Sequence, residues 1–199
     1  MRKRTPRPAR TARTALAAAV LCAAGLTVAA GSATARAQAP GMVCMFDAPS
    51  GAGNLGHVGW GFRGGDGVAW TFGATENPGG AWTVPPSSDP AATGSWIGHG
   101  GWDQMLAAFR AGRSDHGPGY YTRYRCDATA DSSPDAATRQ AATEATNGYV
   151  LTDNNCLTKS VDIFKAYSTA FASYSNGAWQ VPNRYFADLP STWTPSAGL

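Results

Sequence analysis

The chain has 199 residues, a formal charge of +3 and only 15% charged residues, with 24 glycines and 7 tryptophans. Seven of its sixteen cationic residues and none of its acids fall in the first 37 positions, so the remainder is net negative. That remainder has no electrostatic basis for a nucleic-acid partner, and its length suits one domain with a real core.

The chain opens on a basic region holding Arg2, Lys3, Arg4, Arg7, Arg10 and Arg13. An apolar run from Ala15 to Ala30 follows, then small residues up to Ala37. This is the pattern of a bacterial export signal. A cut after Ala37 fits best, because a cut after Ala39 would leave Pro40 in the next position. The run is too short and too rich in small residues for a stable membrane anchor. Cys22 follows Val20 and Leu21, a poor setting for lipid attachment. Residues 1–37 are therefore read as a signal peptide, and 38–199 as a single secreted, extracellular domain, expected to be a monomer.

Met42 to Asp47 reads as a buried strand. In Gly56-His57-Val58-Gly59-Trp60-Gly61-Phe62 the apolar residues alternate with His57 and glycines, the period of a half-buried strand. Gly64-Gly65-Asp66-Gly67 makes the turn, and Val68 to Gly73 is the returning strand. The glycines of this hairpin predict an open face where a backbone or a substrate could approach. Residues 77–100 are rich in Pro, Gly and Ser and read as a long loop, with Trp82, Trp96 and Trp102 either lining a groove or pinning the loop to the core. Trp102 to Arg110 reads as a short amphipathic helix, Tyr120 to Cys126 as a strand, and Pro134 to about Asn147 as a helix stopped by Gly148. The tail after Ser175 holds aromatics and three prolines and is expected to wrap the surface.

Asp153-Asn154-Asn155-Cys156 precedes Leu157, Val161, Phe164, Tyr167 and Phe171, which form one helical stripe. Asp and Asn are good N-caps, so a helix starts within a residue or two of Cys156. Unpaired N–H groups and the positive end of the helix dipole then favour a thiolate over a thiol there. The same N–H groups can donate to an oxyanion, with Asn154 or Asn155 as a neighbouring side-chain donor. Cys156 is thus the candidate nucleophile. Its alternatives are a disulfide partner or a small buried apolar residue. Three cysteines remain after the signal, and two should pair in an oxidising compartment. Cys44 and Cys126 lie on predicted strands without catalytic neighbours, so a Cys44–Cys126 disulfide is expected.

A thiol nucleophile needs a base, usually histidine. His99 and His116 lie in glycine-rich loops and read as surface residues, whereas His57 begins a hairpin strand that could hold it rigidly. Closely spaced Cys and His pairs of the zinc type are absent, so no metal or cofactor is expected. No carboxylate pair suggests a glycosidase, and no Gly-x-Ser-x-Gly elbow suggests a serine hydrolase.

A histidine opening a β-hairpin (Gly56-His57-Val58-Gly59-Trp60, returning through Val68 to Gly73), followed about a hundred residues later by Asn155-Cys156 at a helix start, resembles the circularly permuted branch of the NlpC-type papain-like cysteine hydrolases. That branch includes the PPPDE peptidases and the lecithin retinol acyltransferase-like proteins. The resemblance implies a permuted papain-like arrangement with Cys156 as nucleophile and His57 as base. The place of the third polar residue falls near Trp70, so the site is expected to be a dyad, or to be completed by Glu76 or Asn77 from beyond the strand. The expected fold is α+β, a small antiparallel sheet packed against helices. The expected function is hydrolysis of an amide or peptide bond through a thioester, with cell-wall peptide as the substrate suggested by the resemblance and lipid acyl transfer a further option. The competing expectation is a secreted binding or inhibitor module with a degenerate site.

Overall fold

The structure, a computed structural model, describes residues 40–113 and 116–199. The export signal and Cys22 lie outside the described residues. In chain order the elements are β1 (Gly41–Ala48), a distorted turn α1 (Gly51–Asn54), β2 (His57–Arg63), β3 (Trp70–Thr75), β4 (Thr83–Val84), β5 (Ser95–Gly100), α2 (Trp102–Ala111), β6 (Arg123–Thr129), α3 (Pro134–Thr146), β7 (Tyr149–Val150), α4 (Cys156–Tyr167), α5 (Pro182–Ala187) and β8 (Ala197–Gly198). One antiparallel sheet runs β5-β3-β2-β1-β6-β8, and β4 pairs with β7 apart from it. The fold is α+β. No helix among the described residues is long and apolar enough to cross a membrane.

Both faces of the sheet are covered, which explains why β1 is apolar almost throughout. Val43 and Met45 join one core, with Val58, Trp60 and Phe62 of β2 and with α3, α4 and the C-terminal segment. Cys44, Phe46 and Ala48 face the other core, with Trp70, Phe72 and Ala74 of β3 and with α2. The glycines of β2 do not leave a free face, as the sequence suggested. A Cβ on Gly59 would lie 2.5 Å from Phe109, and one on Gly61 would lie 2.6 Å from the Met105 sulfur, so α2 fills the space.

Two other expectations need correction. Residues 77–100 are not one loop, because their last six residues form β5, paired along β3 from Trp70↔Gly100 to Thr75↔Ser95. The strand was hidden because Gly98 and Gly100 replace apolar residues in its alternation; Gly98 is needed, since a Cβ there would sit 2.5 Å from the Phe72 ring. The α4 stripe also outruns its helix. Ser168 turns extended, with φ −149°, and Phe171 is carried by a short 3₁₀ turn instead. Asp131 holds that break by accepting from the Ser168 hydroxyl and from the Thr169 N–H and hydroxyl.

Cys44 and Cys126 stand opposite each other on β1 and β6 and are disulfide-bonded. Cys156 is the free cysteine and is buried.

Candidate active site

His57 opens β2. The β2–β3 register pairs Trp60 with Gly73, and continuing it three residues sets His57 opposite Glu76, just past the end of β3. His57 Nε2 lies 2.9 Å from Glu76 Oε2. The contact is close but off the line of a straight N–H···O bond, as is common before a substrate tightens a site. Gly51 crowds the histidine from α1; a Cβ there would come within 2.6 Å of the His57 Cβ. The place aligned by resemblance, Trp70, is at the opposite end of the same strand, across from Arg63.

Glu76 is 0% exposed. Its Oε1 accepts from Trp96 Nε1 and from the Tyr121 hydroxyl, both at 2.9 Å. A buried carboxylate without such donors would take up a proton. Here burial pushes its pKa up, but the His57 charge and the bonds from His57, Trp96 and Tyr121 outweigh it and hold Glu76 below the ordinary carboxylate value. Burial together with the nearby Glu76 charge raises Tyr121 well above 10, so its hydroxyl stays a donor.

Cys156 is brought to the imidazole by a turn of a different kind. Asn155 is the N-cap of α4: its Oδ1 accepts from the N–H groups of Leu157 and Thr158, while its Nδ2 donates to Leu151 O. The Asn155 N–H donates in turn to the Thr158 hydroxyl. Asn154 holds the preceding turn, with Nδ2 donating to Asn147 O at 3.3 Å. Both amides therefore shape the approach to Cys156, Asn155 through its Oδ1 and one Nδ2 hydrogen, Asn154 through its Nδ2. Among the described residues no acceptor takes the Cys156 N–H itself. Strand β7 and its partner β4 lock the same turn, and Leu151 N donates to Trp82 O. The tryptophan-rich segment thus supports the cysteine from outside: Trp96 and Trp102 are packed inward, and Trp82 is exposed.

Burial works against a charge on His57, but the Cys156 sulfur first and Glu76 second overcome it, so its pKa stands well above the ordinary 6.5. Both partners thus act on the imidazole and favour its cation. With Nε2 turned to Glu76, Nδ1 is the nitrogen left for the sulfur. Cys156 and Glu76 therefore share the one imidazole, with His57 and Cys156 both on the cavity.

His116, read from sequence as a surface residue, belongs to this cluster. Its Nε2 is 3.7 Å from Glu76 Oε2, and its ring stacks on Tyr120 at 3.8 Å. A glycine-flanked histidine in a loop carries no local signal of this placement. His99 is on β5, with Nδ1 3.1 Å from the Thr71 hydroxyl.

Cys156 and His57 face a cavity of about 310 Å³, walled by the 52–56 segment, by Tyr149 to Thr152, and by Trp179 to Pro182. Asn77 also lines it, with a buried Oδ1 that has no hydrogen-bond partner among the described residues. Among the described residues no cluster of three or more His, Cys, Asp and Glu side chains is arranged to hold a metal ion. Comparison with protein-family models, with characterised proteins and with solved structures finds no match to this chain.

Proposed function

We propose that this chain is a secreted thiol hydrolase that cleaves an amide or peptide bond. The observation that carries the reading is that Cys156, at the start of α4, and His57, backed by Glu76 at 2.9 Å, open on one cavity. His57 takes the thiol proton, and the sulfur attacks the substrate carbonyl. The tetrahedral oxyanion is met by the Cys156 N–H, with the Asn77 amide as the second donor on the cavity wall. His57 then passes its proton to the leaving amine, and the C–N bond breaks to leave a thioester. Water, deprotonated by His57, attacks that thioester; the acid leaves and the thiol regains its proton. Glu76 keeps the imidazole oriented and stabilises its cation throughout, the part a buried carboxylate plays behind a catalytic histidine.

The permuted papain-like arrangement and secretion belong to this reading. The Cys44–Cys126 disulfide supports an oxidising compartment. Glu76 supplies the third group whose absence would have favoured a degenerate binding module.

The test is intact-mass analysis of the folded protein after brief iodoacetamide treatment at about pH 6, where an ordinary thiol scarcely reacts. One rapid label on Cys156, strongly slowed by His57→Ala, is expected. A Cys156 that does not label, or that labels equally fast without His57, would overturn the hydrolase.

A further inference from the structure

The walls of the Cys156 cavity bear on what it holds, given the hydrolase reading above. No Lys, Arg, Asp or Glu lines it. The nearest carboxylate, Glu76, sits behind His57 and is spent on His57, Trp96 and Tyr121. An amine entering the cavity would lose water and find no counter-ion, and an acid would find only His57, whose charge already faces Glu76. Beside the uncharged polar side chains of Asn77, Thr152 and Gln180, much of the wall is apolar, formed by Ala52, Leu55, Leu151, Trp179, Val181 and Pro182.

Three of these are exposed where a large apolar side chain has reason to be buried. Among the described residues six large hydrophobic side chains are exposed, and Leu55, Trp179 and Val181 make up half of them. Apolar residues scattered singly over a surface mean little, but a concave cluster beside a reactive group marks a binding site. The backbone of this wall is also forced. Trp179 sits at φ 60°, in the left-handed region that favours glycine, and its N–H is tied to Thr152 O at 2.8 Å. Ala52 at φ 46° and Asn54 at φ 73° lie in the left-handed region on the facing segment. Asn183 clamps the two segments together: its N–H donates to Leu55 O, and its Nδ2 donates to Pro49 O and Asn54 O. Strain held this firmly around one opening is the mark of a functional wall rather than of a loose loop.

We propose that this cavity receives an uncharged, apolar group of the substrate, aliphatic or aromatic, next to the scissile carbonyl, and that Leu55, Trp179 and Val181 select it. A peptide whose cleavage-site side chain is acidic or basic is then rejected. The charged stem of a cell-wall peptide does not fit as the group in this cavity.

The test needs no substrate. Cys156 is alkylated, with release of iodide, by three reagents of equal intrinsic reactivity: iodoacetamide, N-hexyl-iodoacetamide, and the same hexyl chain ending in a carboxylate. Rates are normalised to a small free thiol. The hexyl reagent is expected to react about tenfold faster than iodoacetamide, what burying roughly two methylene groups gives. The carboxylate reagent is expected to lose that gain. Val181→Asp and Leu55→Asp should collapse the ratio of hexyl to plain rates, and Val181→Leu should keep it; both sites are partly exposed, so folding tolerates either change. Rapid labelling by all three reagents at one normalised rate would overturn the apolar pocket and leave the thiol hydrolase standing. Failure of every reagent to label Cys156 would overturn the hydrolase, and the pocket's role with it.

Discussion

Two buried ionic clusters flank the helix α4, and they differ in what they leave unspent. On one side Lys159 is 1% exposed and bonds to Glu144 O and Asn147 Oδ1, with Glu144 Oε2 at 3.6 Å. Glu144 in turn accepts from Gln140 and Asn147, and Asn147 accepts from Asn154. Each ionic group there has its partners inside the protein, and the cluster joins α3 to α4. On the other side the Glu76 carboxylate is supplied by Trp96 and Tyr121, but beyond it His57 leads outward to Cys156 and a cavity. The same physical need, to satisfy buried charge, produces a joint in one place and a reaction centre in the other. The difference is whether the last group in the line faces protein or space.

That contrast can be broken most directly by removing one charge from each cluster. Glu76→Gln keeps the size and the acceptor oxygen for Trp96 and Tyr121 but removes the negative charge behind His57. Any hydrolysis should fall about 10²- to 10⁴-fold, the usual worth of a positioned acid–base group, and Cys156 alkylation at pH 6 by up to about 300-fold, the span from full thiolate to an ordinary thiol, while the fold persists. Lys159→Met should do the reverse. It strands the Glu144 carboxylate in the interior and should cost about 3–5 kcal/mol in urea unfolding, with the alkylation rate of the folded protein unchanged. A Lys159→Met, Glu144→Leu double variant should recover much of that loss, since an apolar pair of similar volume is often as stable as a buried ion pair. If Glu76→Gln unfolds the protein and leaves the rate alone, the two clusters are both joints.

The pH dependence of stability sharpens the same contrast because the two clusters carry opposite signs on the alkaline side. The pKa of His57 is raised on folding, so its stabilisation is complete below the ordinary 6.5 and is lost as the pH rises through the folded value. Glu76 is lowered, so its contribution is present above the ordinary 4.5 and is lost as the pH falls through its folded value. Lys159 is lowered, chiefly by burial. The unfolded chain therefore binds the extra proton there, and stability rises as the pH climbs toward 10.5. Unfolding curves taken across pH should show His57→Ala flattening the fall above neutrality, and Lys159→Met removing the rise near pH 10. A His57→Ala protein whose stability varies with pH like the parent would refute the ion-pair assignment.

Much of this arrangement was legible before any coordinates. The period of two in residues 57–62 and the turn at Gly64–Gly67 specify the hairpin, and the 3–4 spacing after Asn155 specifies α4, because in both a single buried face dictates the pattern. Those two elements already place His57 and Cys156 at element starts. What the sequence conceals is everything that depends on pairing between distant strands. Glu76 reads as one of several candidates, since its position opposite His57 emerges only from the β2–β3 register. Tyr121, Trp96 and His116 reach the same carboxylate from three separate segments, and no local spacing connects them. The asparagines carry a second duty that their spacing does not announce. Asn154 and Asn155 look like donors because they flank the cysteine, yet their side chains satisfy backbone groups that the turn would otherwise leave bare.

Asn155 offers an intermediate case, a joint built into the reaction centre. Asn155→Ala removes a cap that serves two N–H groups and should cost about 1–2 kcal/mol. Because the freed first turn is the one carrying Cys156, alkylation should also slow. Asn155→Asp retains the accepting oxygen and should restore most of the stability. It also sets a negative charge beside the sulfur, so its alkylation rate should not recover fully; equal recovery of both would make the residue a cap and nothing more.

The smallest effect belongs to His116, the second histidine on Glu76. At 3.7 Å its nitrogen is too far for a strong bond, and its side chain is 24% exposed to competing water. It closes the open side of the carboxylate, and its ring covers Tyr120 on the cavity wall. His116→Gln should therefore change Cys156 alkylation by less than about fivefold, roughly 1 kcal/mol, the upper range for an exposed ion pair. The change should come with little loss of stability in urea unfolding. A rate loss matched by an equal loss of stability would assign His116 to packing alone. A drop as deep as that of Glu76→Gln would place it in the reaction line beside His57.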